Sequence, residues 1–324
     1  MPEPSSFSEF RARRFLTEQI MRPVNTGRIV HAQLFAGPDG TGKRTAALLA
    51  ARAMNCEGEG EKPCNRCPSC LQFLSGNSPR LLLIQPEDGS IKVDVIRRMI
   101  ERVSLRPDAG HLCVIIDQAD RMNESAQNAL LKTLEEAPDY AVFYLLTAKP
   151  SSLLTTIRSR CAMFRFAPLD DETVVDALVQ RGIPQTQAKE TAREAAGSIG
   201  RATSILEDDS FRPMYESAVR ALLSVRENAD VYAAFQMIAG YKDSARRILE
   251  IYETLASRLM RAEHAAAEPD EDAVRALLQR GVRGDRLLSC AVEALKKLTS
   301  NVSYQSTMEM LFFDPVSYTH LTLP

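Results

Sequence analysis

The sequence predicts an α/β domain built on a parallel sheet, followed by an all-helical remainder. Three observations carry this. Short apolar runs alternate with helical patterns through the first half, a glycine-rich loop joins one such run to a helix, and the strand-like runs stop near residue 167. Such alternation is what a parallel sheet wrapped by helices requires.

In chain order the strand-like runs are "AQLFAG", "RLLLIQP", "HLCVIID" and "AVFYLLTA". Between them lie "GKRTAALLAARAM", "VDVIRRMIERVSL" and "NESAQNALLKTLEEA", whose apolar residues recur at helical spacing. In the last, Ala126, Ala129, Leu130 and Leu134 share one face and Asn123 can cap the start. From "PLDDETVVDALVQRG" onward only helical patterns remain. A first boundary is expected at Ala167 to Asp171, and a second at Glu207 to Arg212, where "EDDSFRP" interrupts the helices with charge, Ser and Pro. The predicted organisation is a sheet domain over 1–167, a small helical domain over 168–208 and a helical domain over 209–313. The final helix reads as complete at Leu311. The last ten residues, "PVSYTHLTLP", have no helical period, and 314–324 reads as a tail, disordered or foreign to the natural product.

Composition narrows the function. The 324 residues exceed one ordinary core, and 45% hydrophobic with 25% charged residues is near the globular average. Forty basic against forty-two acidic residues leave a net charge of −2, which excludes a protein that coats DNA by charge alone. No charged-then-apolar leader opens the chain, so a cytoplasmic location is expected. Of seven cysteines, four crowd into residues 56 to 70, which suits a metal site in a reducing compartment better than a disulfide framework. Cys113, Cys161 and Cys290 lie in apolar or helical surroundings and are expected simply to pack.

"GPDGTGKRT" at 37–45 meets the phosphate-loop pattern through Gly37, Gly42 and Lys43, with Gly40 inside the loop. It follows a strand and opens a helix, so backbone N–H groups can face phosphate oxygens while Lys43 reaches the terminal phosphates. Arg44, however, stands where a hydroxyl should hold magnesium, and Thr45 falls one position late. The second element of such a site is an acid ending an apolar strand, and "CVIIDQAD" supplies Asp117, whose bland alternative is a turn or helix cap. Gln118 then occupies the position of a water-orienting glutamate, and an amide is a poor base.

Cys56, Cys64, Cys67 and Cys70 are spaced C-x7-C-x2-C-x2-C. Four thiolates at short spacing are what a closed, structural zinc site needs, with an iron–sulfur cluster or four free thiols as alternatives. "TIRSRCAMF" offers Arg158 and Arg160 before another apolar run. Alone, they read as a solvated pair at a domain edge; after a phosphate-loop domain they also suit an arginine finger presented to a neighbouring subunit.

In this order, the phosphate loop, the cysteine insert, "VIIDQADRMNESAQNALLKTLEEAP" and "IRSRC" resemble the AAA+ clamp loaders of bacterial replication, strongly over about residues 10–210 and more weakly beyond. The resemblance implies an AAA+ RecA-like sheet domain with a zinc-binding insert, a small helical lid and a C-terminal all-α collar through which five subunits assemble. It implies as partners the gamma/tau-type motor and delta subunits, the sliding clamp and, through the complex, primed DNA, with no membrane. It further implies that Arg160 reaches the ATP of an adjacent motor subunit, with Arg158 beside it, and that Thr147 lies at the sensor-1 position. Gly200 of "GSIGRA" stands at the sensor-2 arginine's place, next to Arg201. Gly37, Gly40, Gly42, Lys43, Thr45, Asp117 and Thr147 then form a degenerate nucleotide site, with ATP and magnesium doubtful in it. Arg44, Gln118 and Gly200 each weaken that site while the element acting on a neighbour is intact. The expected role is a stator with little or no ATPase of its own. The alternatives are an ATP-hydrolysing motor subunit and an unrelated DNA-binding zinc module.

Overall fold

The structure is a computed structural model that describes residues 6–7, 10, 14–264, 272–299 and 302–317. The chain divides into two compact units, Met1–Ser204 and Ile205–Pro324.

The first unit runs α1 (Arg14–Thr26), β1 (Ala32–Ala36), α2 (Lys43–Met54), α3 (Pro68–Leu74), β2 (Leu81–Ile84), α4 (Val93–Val103), β3 (Leu112–Ile116), α5 (Glu124–Glu135), β4 (Ala141–Thr147), α6 (Thr155–Arg160), β5 (Ala162–Arg165), α7 (Asp171–Val179), α8 (Gln185–Glu194) and α9 (Ile199–Glu207), which crosses the unit boundary. The strands form one sheet in the order β2-β3-β4-β1-β5, and every pairing is parallel. This is the α/β architecture that the alternating pattern predicts.

Side chains of the central strands alternate between two cores, as a pleat of period two demands. Leu34, Val114, Ile116, Phe143 and Leu145 face a core shared with Ile96, Met99, Ala126, Leu130 and Ile157 of α4, α5 and α6. Phe35, Cys113, Ile115, Val142, Tyr144 and Leu146 face the opposite core, with Ile20 of α1 and Leu49 of α2. β1, β3 and β4 are buried throughout, which is why they read so clearly as strands. β5 is the apolar run after "TIRSRC", which the sequence alone does not mark as a strand. It is a short edge strand with mostly exposed side chains, so its run is too brief and too exposed to read as one of the sheet's strands.

The sheet aligns the ends of three strands. Ala36 pairs with Thr147, and Ile116 pairs with Leu145 one strand over, so the segments that follow β1, β3 and β4 emerge at one edge. In open parallel sheets that carboxyl edge is where ligand sites form. The α7–α9 segment, expected as a separate small domain, packs largely within the first unit. Asp170 caps α7 by accepting from the Thr173 N–H at 2.7 Å, and Leu169 donates to the Gly197 carbonyl at 2.9 Å.

The second unit is helical: α10 (Phe211–Ser224), α11 (Val231–Ile238), α12 (Ala245–Glu263), α13 (Asp272–Gln279), α14 (Gly284–Thr299) and α15 (Tyr304–Ser317). Its core gathers Phe235, Ile248, Leu249, Leu255, Leu287, Ala291 and Phe312 around a fully buried Tyr252. The Tyr252 hydroxyl donates to the Ala218 carbonyl at 3.0 Å, satisfying the one polar atom that its ring brings inside. The expected helix end at Leu311 needs correction. α15 continues to Ser317, because Phe312 extends its buried face. Of the segment read as a tail, residues 318–324 lie outside the described residues. Among the described residues, no helix is long and apolar enough to cross a membrane.

Candidate functional site

The glycine loop leaves β1 with the Gly37 N–H donating to the Thr147 carbonyl at 3.1 Å, which ties it to the end of β4. Gly40 and Gly42 have φ of 72° and 88°, in the left-handed region where a side chain is strained. A Cβ on Gly40 would collide with Ser198 Oγ, and one on Gly42 would sit 2.8 Å from the Phe10 ring. The loop therefore has the backbone that the motif predicts, with other parts of the chain pressed against it.

Lys43 turns back into this loop. It is 8% exposed, and its ammonium donates to the Gly37 and Pro38 carbonyls at 2.6 and 2.8 Å, with Asp39 3.7 Å away. Burial holds the Lys43 ammonium below the usual lysine range, and the Asp39, Asp117 and Asp120 carboxylates oppose that shift. The lysine that would meet a terminal phosphate is occupied by its own loop.

Arg44, from the first turn of α2, places Nη1 3.5 Å from Asp117 Oδ2, just past the end of β3. In a working phosphate-loop enzyme the hydroxyl at this position and this carboxylate hold magnesium between them. The residues present do not fit that ion: the hydroxyl is missing, and Asp117 is already paired with a fixed cation. Gln118 has a left-handed backbone at φ 51°, and its N–H donates to Asp117 Oδ1 at 3.0 Å, further occupying the carboxylate. Thr45 is half-buried one residue further along α2.

Thr147 is fully buried, and its hydroxyl donates to Asp120 Oδ1 at 2.7 Å; the Ala148 N–H reaches the same oxygen at 3.3 Å. Asp120, absent from the sequence-based site, thus bolts the loop after β3 to the end of β4. The "DQAD" spacing was its available signal, since a second acid follows Asp117 within one turn. Gly200 donates its N–H to the Gly40 carbonyl at 3.2 Å, and a Cβ at residue 200 would lie 2.9 Å from Gly40 Cα. An arginine there would push the glycine loop aside, so the small residue is required by close approach of the two backbones.

Arg158 and Arg160 occupy a different place, on the short helix α6, anchored by fully buried Ile157. Arg160 Nη2 pairs with Glu135 Oε1 at the end of α5, and Nη1 donates to the Thr156 carbonyl at 3.0 Å. Arg158 Nη2 donates to Thr155 Oγ1 at 3.2 Å.

Behind this pair lies Gln127 of α5, 5% exposed, which sequence reasoning also missed. Its Nε2 donates to the Met122 and Ser152 carbonyls at 3.1 and 3.3 Å, and its Oε1 accepts from the Leu154 N–H, the α6 N-cap, at 2.8 Å. One amide thereby joins the segment after Asp117 to the start of the arginine helix. A polar residue on the buried stripe with Leu130 and Leu134 was the clue. Gln127→Leu keeps the volume but strands these partners. It is expected to lower unfolding free energy by about 2–3 kcal/mol, read from a urea titration.

The cysteine cluster forms from the segment after α2 and the first turn of α3, with Cys67 as the α3 N-cap and Cys70 inside the helix. The Sγ atoms of Cys56, Cys64, Cys67 and Cys70 lie within 4.8 Å of one another, and all four are free of disulfides. Tetrahedral ligation at about 2.3 Å per sulfur needs separations of about 3.8 Å, so the cluster can hold a metal ion with small adjustments. Backbone N–H groups of Cys64, Cys67 and Cys70 point at the sulfurs of Cys56, Cys64 and Cys67 at 3.3, 3.4 and 3.4 Å, as thiolate acceptors require. The N–H groups of Arg66 and Cys67 draw the Cys64 thiol down to about 6, while burial pushes the Cys70 thiol up to about 12. Cys113 and Cys161 are buried in the sheet cores, as expected of packing residues.

Known proteins resemble this chain in sequence. A family model described as "DNA polymerase III, delta subunit" matches residues 13–170. The chain is 31% identical over 304 residues to DNA polymerase III subunit delta' of Bacillus subtilis, covering 89% of this chain and 91% of that one. It is 35% identical to DNA polymerase III subunit tau of Escherichia coli over 173 residues, but that match covers 53% of this chain and 27% of tau. Among solved structures, a DNA polymerase III gamma subunit-related protein from Thermotoga maritima aligns over 91% of this chain and 97% of its own at 20% identity and a TM-score of 0.47. A likeness to the Bacillus subtilis protein that runs nearly end to end, where tau matches only in part, shows that the chain belongs to the family of DNA polymerase III delta' subunits.

Proposed function

We propose that the chain is the stator of a clamp loader, helping to place the sliding clamp on primed DNA without turning over ATP in its own site. The observation that carries this is the Arg44–Asp117 ion pair: the cation that a motor subunit takes from solution is built into this side chain. Lys43, folded onto its loop, and Gln118, in place of a base, point the same way. Arg160, by contrast, stands at the surface, 36% exposed. In this reading it completes the ATP site of a neighbouring gamma/tau-type motor subunit, with Arg158 beside it. The helical span 209–313 is the collar that joins motor and delta subunits in a hetero-pentamer, and residues 168–208 are the lid. The metal held by Cys56, Cys64, Cys67 and Cys70 is a structural zinc, since four thiolates leave no open position for a catalytic water.

The test is ATP turnover by the isolated chain with magnesium and primed DNA, beside the same assay after adding motor and delta subunits. Silence alone and clamp-dependent turnover in the mixture is the expected result. Turnover by the chain alone, abolished by Lys43→Ala, would show that it is a motor.

A further inference from the structure

Arg160 is not a loose side chain, and what grips it has a consequence for the neighbour's site. It is the last residue of α6, and its Nη1 donates to Thr156 O in the final turn of that helix, at 3.0 Å. Its Nη2 meets Glu135, the last residue of α5. A carbonyl from the last turn of α6 and a carboxylate from the last residue of α5 therefore hold one guanidinium. A guanidinium has five N–H bonds. Two are spent on these contacts, and among the described residues the rest have no partner, on a side chain that is 36% exposed. The arrangement fixes the planar fork in one orientation while leaving donors for an incoming anion.

We infer that Glu135 is a positioning residue for Arg160: it holds the guanidinium in the rotamer that a phosphate on the neighbouring subunit meets. This rests on the reading of Arg160 as acting in trans. An arginine surrenders considerable rotamer freedom when it is immobilised, so a pre-held fork loses less of it as the transition state forms. Glu135 is 46% exposed, and a carboxylate repels phosphate rather than holding it, so its effect passes through Arg160. A partly exposed ion pair is weak, which bounds the expected effect at about two- to fivefold.

The experiment is ATP hydrolysis by the reconstituted loader containing wild-type chain, Glu135→Ala, Glu135→Gln, Glu135→Asp or Arg160→Ala, with assembly checked by gel filtration. Glu135→Ala is expected to lower kcat about two- to fivefold with KM for ATP unchanged. Glu135→Gln, which retains an acceptor but not the charge, should fall between, and Glu135→Asp should recover part of the loss. Added salt should slow wild type more than Glu135→Ala, narrowing the gap between them, because only wild type also loses the screened ion pair. A role confined to structure would move none of these graded readouts. Glu135→Ala turnover equal to or above wild type, with Arg160→Ala inactive, overturns the inference and leaves the stator reading standing. Arg160→Ala with wild-type turnover overturns both.

Discussion

Arg160→Ala is expected to lower hydrolysis at the neighbouring site by about 10³-fold, the lower end of what an arginine finger supplies, while Lys43→Ala leaves that hydrolysis near its wild-type rate. The ranking follows from where each side chain is spent. Arg160 lies on the surface in a partly exposed ion pair, and such pairs contribute at most about 1 kcal/mol to stability, so its loss cannot act by unfolding the subunit. Lys43 is the reverse case. It is buried against the Gly37 and Pro38 carbonyls, so alanine there is expected to cost about 1–3 kcal/mol of stability and, on the stator proposal, to remove no group from the chemistry. Single-turnover hydrolysis in the assembled loader, beside melting curves of both variants, separates the two effects. An inactive Lys43→Ala loader with a fully active Arg160→Ala loader would reverse the assignment of motor and stator.

The contrast between these two residues also marks what the sequence could reveal. The glycine loop, Asp117 and the four clustered cysteines were legible because each is a short-range pattern whose spacing is set by local geometry, whereas the "SRC" arginines, alone, read as a solvated pair and drew attention only by their order after such a loop. That Arg44 breaks the pattern was equally plain. What Arg44 does instead was not, because its partner lies 73 residues away at the end of another strand. Asp120 with Thr147, Gln127 with Leu154, and Phe10 over Gly42 are contacts of the same long-range kind, created only once the sheet has aligned its strands. β5 and the end of α15 were missed for a different reason. β5 is a short, exposed edge whose apolar run is too brief to read as a central strand, and α15 runs past Leu311, where helical period has faded, with Phe312 buried. Local chemistry thus announces which residues could act, and tertiary contacts decide which of them are already engaged.

Metal removal should have the second large effect, and the insert's own packing says how it will spread. Of the residues between α2 and the end of α3, Cys56, Pro63, Cys70 and Phe73 are the buried apolar ones, too few to form a core that holds the segment in place. A closed four-thiolate site contributes its binding energy directly to folding in such a case. Phe73 packs in the core that contains Leu49 and Phe35, so melting of the insert would uncover apolar surface of the sheet domain worth about 2–3 kcal/mol. Purified protein is expected to carry one zinc per chain by elemental analysis. A chelator should raise hydrogen exchange across residues 56–74 and lower the melting temperature of the whole chain. Because the thiols must lose their protons to bind, metal retention should weaken as pH falls. Cys67→Ser should reproduce the chelated state without any chelator present. Unchanged exchange and melting in both metal-free forms would mean that the four cysteines only pack, and that backbone N–H groups suffice to hold the insert's shape.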